Sequence, residues 1–237
     1  MGDFSGKAVM VLGGSRGIGA AIVRHFAAAG ASVTFSYSGS ADAAAAIAAE
    51  TGATMVQADS ANREELVAAI AAAGALDIVV INAGVAIMGD PLKIDPAAVE
   101  RLIDINIRAP YFAGVEAGRQ MHDQGRIIII GSVNGDRVPS GGFTAYAMSK
   151  SAVQGIGRGL ARDFGPRGIT VNVVQPGPVD TDMNPAAGPM APMMHGSMAI
   201  KRHAHVDEVA ALVLYLASPA AAMITGTTQT IDGGLGI

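Results

Sequence analysis

The chain has 237 residues, of which 50% are hydrophobic and 15% charged, with a formal net charge of −4 and no cysteine. This size and apolar fraction suit one well-buried α/β domain. The charge balance gives no sign of a nucleic-acid polymer or an anionic membrane as partner. The lack of cysteine excludes disulfides and thiolate metal sites, and it fits a reducing, cytoplasmic location. We expect neither a signal peptide nor a membrane span, because no apolar run approaches the roughly 20 residues that a span needs.

Short apolar or β-branched runs alternate with longer, alanine-rich helical segments along the chain. Several runs are apolar at successive positions, which is typical of parallel strands covered on both faces. This alternation predicts right-handed βαβ units and a doubly wound, seven-stranded parallel sheet. The predicted strands are Ala8–Leu12, Ser32–Phe35, Thr54–Gln57, Ile78–Ile81, Ile127–Ile130, Thr170–Val174 and Gln229–Ile231, and the clearest helices are Ala41–Thr51 and Arg63–Ala73.

A glycine-rich turn, Gly13–Gly19, follows the first predicted strand and leads into a helix. Glycines let the backbone turn tightly and approach a pyrophosphate, while the helix N-terminus supplies free N–H groups and a positive dipole end. The position of the turn in a βαβ unit predicts a dinucleotide site. The candidate contacts are Gly13, Ser15, Arg16, Gly17, Ile18 and Gly19.

The end of the second predicted strand distinguishes NAD from NADP. An acidic residue there would bind the ribose 2′-hydroxyl and repel a 2′-phosphate, but the first acid after this strand is Asp42. Arg16 can reach a 2′-phosphate from the glycine turn, and Tyr37 and Ser38 stand at the strand end. These residues favour NADP(H), although Arg16 can also be read as a solvated loop cation.

The ends of the third and fourth predicted strands carry further candidate cofactor contacts. Asp59, followed by Ser60, can accept a hydrogen bond from the adenine amino group; the alternative is that Asp59 caps a helix. Asn82, Ala83 and Gly84 follow the fourth strand, where small residues allow the backbone to lie against the nicotinamide half.

Tyr146 and Lys150 lie one turn apart on one face of a helical segment. A neighbouring ammonium favours the phenolate, lowers the tyrosine pKa and makes Tyr146 a proton donor or acceptor for a carbonyl or alcohol. Ser132 follows the fifth predicted strand and can donate to a substrate oxygen, or it can simply cap the strand. Asn106 stands amid apolar helix residues and needs partners if buried. These four residues are the candidate catalytic groups.

All these features occur in the order and at the spacing of the short-chain dehydrogenase/reductase family, which the chain resembles over essentially its whole length. The resemblance implies one NADP(H)-binding Rossmann domain over residues 1–237, acting on a small carbonyl or alcohol substrate. In the implied mechanism Tyr146 exchanges a proton with the substrate oxygen, while Lys150 holds the ribose and lowers the Tyr146 pKa. Ser132 orients the carbonyl, and Asn106 positions a water. The later contacts implied beside the nicotinamide are Pro176, Gly177, Val179 and Thr181.

Three stretches are particularly similar to a subgroup of this family, the bacterial cyclic-di-GMP-binding biofilm dispersal mediators. They are Ile129–Arg137, Gly159–Thr170 and Val173–Asp182. This likeness implies an alternative function, the binding of cyclic-di-GMP on the same fold. The chain departs from the family pattern at Leu12 and Ile81, where the family usually has polar residues that cross-link the loops behind the cofactor.

Residues 182–203, rich in proline, glycine and methionine, are predicted to form a mobile loop or broken helix over the pocket. Their methionines either line an apolar substrate site or pack the lid. Gly155, Gly157 and Gly159 interrupt the helix of Tyr146, and close helix approach would compensate for their cost. Relatives pack this helix across subunits, which implies a homo-oligomer, either a dimer or a tetramer. We expect no metal site, since His203 and His205 lack a third ligand.

Overall fold

The computed structural model describes residues 2–237. Seven parallel strands form its central sheet, and eight α-helices surround the sheet within the described range. The strands are β1 (Ala8–Leu12), β2 (Ser32–Tyr37), β3 (Thr54–Gln57), β4 (Leu76–Ile81), β5 (Met121–Ile130), β6 (Thr170–Pro176) and β7 (Thr228–Ile231). The helices are α1 (Gly17–Ala28), α2 (Ala41–Thr51), α3 (Arg63–Ala72), α4 (Pro96–Ile103), α5 (Ala109–Gln120), α6 (Thr144–Phe164), α7 (Ala191–Gly196) and α8 (Val206–Ala217).

The strand order is β3-β2-β1-β4-β5-β6-β7, and every neighbouring pair is parallel. The order runs outward in both directions from β1 and β4, which is the topological switch point of a doubly wound sheet. The predicted Rossmann-type fold is therefore confirmed. No helix among residues 2–237 combines the length and the apolar character required to cross a membrane.

The predicted strands are all present, and the largest difference in their bounds is at β5. This strand begins at Met121, well before the predicted Ile127, because Met121 pairs with Leu76 before the register shifts. Most residues between these two positions are polar, so an apolar pattern could not predict the first half of the strand.

Two apolar clusters cover the two faces of the sheet. Because successive strand residues point to opposite faces, Val9 and Val11 of β1 pack with α1, α2 and α8, whereas Met10 and Leu12 pack with α3, α5 and α6. Both clusters are built from strand residues that are almost fully buried. The successive apolar positions of the strands thus pack alternately against the two helix layers.

Leu12 and Ile81, the two departures from the family pattern, are register partners across β1 and β4. Both side chains are buried in the same apolar cluster. Replacing two polar partners together by apolar residues leaves neither one unsatisfied. The two side chains are thus matched apolar partners in the core, and the effect of these departures on cofactor affinity stays open.

The glycines of α6 differ in their surroundings. Gly157 is buried, and a Cβ there would lie 2.8 Å from Val173 Cγ2 of β6, whereas a Cβ at Gly155 or Gly159 would meet open space. The predicted compensation by close approach therefore holds for Gly157 alone, and it is made against the sheet rather than against a helix. Gly155 and Gly159 are exposed, and the homo-oligomer stays a prediction.

Two alanine substitutions in α6 test this difference in packing. Gly157→Ala should lower the free energy of unfolding, because overpacking a core costs about 1–3 kcal/mol and exceeds the gain in helix propensity of up to about 1 kcal/mol. Gly159→Ala, the matched control, should raise stability by that propensity gain. Denaturant unfolding of both variants measures the difference, and a Gly157→Ala protein as stable as the control would contradict the close contact with Val173.

Candidate active site

The candidate site residues gather at one edge of the sheet. Because all strands are parallel, the carboxyl ends of β1, β4, β5 and β6 meet there, directly before Gly13, Asn82, Gly131 and Gly177. Ligand sites of open α/β sheets lie at this edge. The fold thus brings together segments that are far apart in the sequence.

The glycine turn packs directly against the end of β4. Gly13 has φ of +79°, and a Cβ there would lie 2.9 Å from Ala83 Cα. A Cβ at Gly19 would overlap the carbonyl oxygen of Gly13, which accepts a hydrogen bond from Asn82 Nδ2 at 2.7 Å. Asn82 and Ala83 therefore hold the turn in shape, a role that the sequence did not reveal.

Helix α1 begins with free hydrogen-bond donors. Arg16 occupies its N-cap, no side chain caps the helix, and its first turn contains no acidic residue. The first N–H groups of a helix have no partner within the helix and attract anions. Arg16 is exposed and forms no ion pair with any other residue of the range 2–237. This bare cradle fits the pyrophosphate of a dinucleotide.

The end of β2 lies beside this turn and carries no acid. Gly13 N donates to Ser36 Oγ at 3.0 Å, so β2 and the glycine turn are joined. Tyr37 ends the strand, and Ser38 follows it with its carbonyl bonded to Gln57. Asp42 belongs to the first turn of α2 instead. The surroundings therefore suit a 2′-phosphate better than a 2′-hydroxyl that needs an acceptor.

The carboxylate of Asp59 is already engaged. It accepts hydrogen bonds from Ala61 N at 3.0 Å and from Arg101 Nη2 at 3.0 Å, and the cap of α3 is Asn62 rather than Asp59. Ser60 is half-buried in the turn beside it. The adenine contact of Asp59 and Ser60 stays a prediction.

Asn106 lies in a π-helical turn, Asp104–Arg108, between α4 and α5. Such turns are frequent at functional sites. The side chain is buried; its Oδ1 accepts from Val85 N at 2.9 Å, and its Nδ2 donates to Val85 O at 2.8 Å and Ser149 Oγ at 3.0 Å. Asn106 therefore joins the segment after β4 to α6. Ser149, which precedes Lys150, was missed because an isolated serine gives no sequence signal.

Tyr146, Lys150 and Ser132 converge where α6 crosses the end of β5. Lys150 Nζ donates to Ile130 O at 3.1 Å and lies 5.8 Å from the centre of the Tyr146 ring. A Cβ at Gly84 would lie 3.5 Å from Lys150 Nζ, so the backbone after β4 passes close to the ammonium. Ser132 Oγ also accepts from Asn134 N at 3.2 Å, so the serine is a cap as well as a candidate donor.

Burial governs the electrostatics of this group. It raises the pKa of Tyr146 above its usual value, and a hydrogen bond with the Ser132 side chain acts in the opposite direction. Burial also lowers the pKa of Lys150 to about 8. The direction for Tyr146 differs from the expected lowering by Lys150, because desolvation disfavours the charged form of both groups.

The segment after β6 folds against the glycine turn. Gly177 packs on the backbone of Asp232, where a Cβ would lie 2.7 Å from Asp232 Cα, and Thr181 Cγ2 would lie 3.3 Å from a Cβ at Gly17. Val179 is buried and pairs with Ala204. Pro176, Gly177, Val179 and Thr181 thus form the wall opposite the start of α1.

The segment 182–203 contains one short helix, α7, with turns on both sides of it, and its mobility and its role as a lid stay predictions. Met183, Met190 and Met193 are exposed, whereas Met198 is buried against the C-terminal Gly233. The methionines therefore divide between exposed positions and packing against the C-terminal residues. Within residues 2–237, no three histidine, aspartate or glutamate side chains are grouped to hold a metal.

Comparison with known proteins identifies the relatives of this chain. A family model described as enoyl-(acyl carrier protein) reductase matches residues 13–236. The cyclic-di-GMP-binding biofilm dispersal mediator protein of Escherichia coli (strain K12) is 60% identical over 236 residues, covering 100% of both chains. The resemblance to the dispersal mediators is therefore confirmed.

Solved structures agree with this relationship. The crystal structure of BdcA in complex with NADPH has a TM-score of 0.98 at 60% identity and covers 99% of this chain and 96% of that chain. A short chain dehydrogenase from Burkholderia cenocepacia J2315 in complex with NADP has a TM-score of 0.97 at 43% identity, covering 99% and 100%. The chain belongs to the short-chain dehydrogenase/reductase family, a family of oxidoreductases.

Proposed function

We propose that this protein is an NADP(H)-dependent oxidoreductase acting on a small carbonyl or alcohol substrate, with Tyr146 as general acid and base. The observation that carries the proposal is the convergence of Ser132, Tyr146 and Lys150 at the sheet edge that also holds the glycine turn. NADP(H), when bound, supplies or accepts the reducing equivalents, and the protein supplies the proton and the orientation.

The cofactor preference follows from the cradle around the start of α1. The free N–H groups beyond Gly13 suit the pyrophosphate, and the exposed guanidinium of Arg16 suits a 2′-phosphate because Arg binds phosphate through charge-assisted hydrogen bonds. No acid stands between the end of β2 and Asp42, so no carboxylate at this strand end would repel that phosphate. Complexes of relatives with NADPH and NADP support this preference.

The proton chemistry follows from the burial of the two titratable groups. A raised pKa keeps Tyr146 in the phenol form at neutral pH, ready to protonate a carbonyl oxygen during reduction. Lys150, with a pKa of about 8, is mostly an ammonium at neutral pH and stabilises the phenolate that forms when the proton leaves. Ser132 can donate a hydrogen bond to the substrate oxygen as charge develops.

Binding of cyclic-di-GMP is a second candidate function. It is favoured by the name of the E. coli relative that is 60% identical to this chain. A cyclic dinucleotide carries phosphates, and the start of α1 is a bare anion cradle beside the exposed Arg16. If the two ligands share this cradle, cyclic-di-GMP and NADPH compete.

Replacement of Tyr146 by phenylalanine tests the proposed acid. Tyr146→Phe should abolish the consumption of NADPH with any aldehyde, ketone or quinone that the wild type reduces, because the proton donor is lost, while NADPH still binds. Tyr215→Phe, an exposed tyrosine on α8, is the matched control and should keep full activity. A Tyr146→Phe enzyme with wild-type turnover would exclude this residue as the acid.

Replacement of Arg16 tests the cofactor preference. Arg16→Ala should weaken NADPH binding about tenfold to a hundredfold, since a hydrogen bond to a charged group contributes about 1.5–3 kcal/mol, and should leave NADH binding unchanged. Arg24→Ala, on the same helix but paired with Glu50, is the control and should change neither. Fluorescence titration with both nucleotides measures this, and tighter binding of NADH by the wild type would overturn the preference.

Calorimetry with cyclic-di-GMP tests the second candidate. We expect binding in the absence of NADPH and a weaker apparent affinity in its presence if the cradle is shared. No heat of binding at ligand concentrations far above micromolar would remove this function, and binding unaffected by NADPH would place the dinucleotide elsewhere.

A further inference from the structure

A buried glutamine stands behind the proposed catalytic serine. Gln175, on β6, is fully buried, and its Nε2 donates to Ser132 O at 2.8 Å and lies 3.2 Å from Asp136 Oδ2. Both neighbours are acceptors, so the amide nitrogen must face them. A buried amide is costly unless it is hydrogen-bonded. Its Oε1 accepts no hydrogen bond from residues 2–237, so the side-chain amide acts among them only as a hydrogen-bond donor.

Asp136 connects this glutamine to the helix of the proposed acid. Its Oδ1 accepts a hydrogen bond from Gln154 Nε2 of α6 at 2.8 Å. Gln154 lies one helical turn after Lys150, so the carboxylate joins β6 to the helix that carries Tyr146 and Lys150. The neighbouring Arg137 bonds to the C-terminal carbonyls of Leu235 and Ile237 instead, which leaves amides as the partners of Asp136 among the described residues.

The turn after Ser132 is held between these two elements. Residues Val133–Gly135 form a short 3-10 helix, and Gly135 N donates to Ser132 O at 2.9 Å. A Cβ at Gly135 would lie 2.8 Å from Lys150 O, so this turn packs directly on the backbone of α6. Ser151 Oγ of α6 donates to Gly135 O at 2.6 Å. The turn therefore has little freedom relative to the helix.

We propose that Gln175, Asp136 and Gln154 form a positioning network that sets the Ser132 hydroxyl against the Tyr146 hydroxyl. Gln175 fixes the serine backbone from the sheet side, while Asp136 and Gln154 fix the following turn from the helix side. Gln175 also precedes Pro176 directly, so the network joins the serine to the wall of the cofactor cradle. The inference rests on the proposed function, since it gives these residues a role through Ser132.

A structural role alone and a positioning role predict different pKa values for Tyr146 after the network is changed. The hydrogen bond from the Ser132 side chain lowers the pKa of Tyr146 against the effect of burial. Loosening Ser132 weakens that bond, so the pKa of Tyr146 rises further and the pH dependence of proton transfer moves upward with it. The titratable groups beside the pair are Lys150 on α6 and Asp136 in the turn after β5. A substitution at Gln175 leaves Lys150 untouched and removes one hydrogen-bond donor from Asp136.

The test compares Gln175→Met with Gln229→Met. Methionine is close to glutamine in shape but cannot donate to Ser132 O, and Gln229 on the adjacent β7 donates only to Thr227 Oγ1 among the described residues. Gln175→Met should lower kcat about tenfold, a part of the 10²–10³ that loss of a whole oxyanion donor costs, and leave the KM for NADPH within about twofold. Gln229→Met should change neither. Equal kcat in the two variants would overturn the proposal.

A second variant covers the case in which Gln175→Met does not fold. Gln154→Glu acts from the half-buried end of the network and places a carboxylate against that of Asp136. Like Gln175→Met, it should lower kcat and raise the upper pKa of the pH profile. An unchanged pH profile together with an unchanged kcat would show that the network does not position Ser132.

An activity-independent measurement separates this proposal from the proposed function. The pKa of Tyr146 can be followed by NMR of tyrosine labelled with ¹³C at Cζ, with the resonance assigned by its loss in Tyr146→Phe. The pKa should be higher in Gln175→Met and Gln154→Glu than in Gln229→Met, even if no carbonyl compound is turned over. Equal values in all three proteins would overturn the positioning role, whereas a shift without turnover would leave it standing and refute the proposed function.

Discussion

Parallel alignment of the strands is the constraint on which the whole site depends. In a parallel sheet every strand delivers its carboxyl end to the same edge, so Gly13, Asn82, Ser132 and Gly177 meet although long stretches of chain separate them. The edge is then joined across strands by side chains rather than by further backbone pairing. Asn82 bonds the glycine turn, Asn106 bonds the segment after β4 to α6, and Gln175 bonds β6 to the turn after β5.

Those parts of the molecule that depend on local patterns could be predicted from the sequence. Successive apolar residues marked the strands, and the glycine turn and the spacing of Tyr146 and Lys150 marked the site. The first half of β5 escaped this pattern, because it is held by pairing with β4 and its residues after Met121 are polar. Asn106 was recognised as a buried polar residue in need of partners, but its partners, Val85 and Ser149, are defined only by the fold.

The effect of burial on the pKa values of Tyr146 and Lys150 also could not be predicted from the sequence. The spacing of Tyr146 and Lys150 indicates that an ammonium is near a phenol, but the effect on the phenol depends on how much water both groups lose. In the folded chain desolvation dominates, raising the pKa of Tyr146 and lowering that of Lys150. Burial therefore favours the uncharged form of each group over its charged form. This suits an acid that must still hold its proton when a carbonyl arrives.

The methionines of segment 182–203 affect how the protein responds to oxidants. The chain has 12 methionines and no cysteine, so peroxide has thioethers rather than thiols to attack. Met183, Met190 and Met193 of this segment are exposed, whereas Met198 of the same segment and Met10 in the sheet are buried. Sulfoxide formation makes an apolar side chain polar. Mild oxidation will therefore modify the exposed methionines of this segment before it reaches the core.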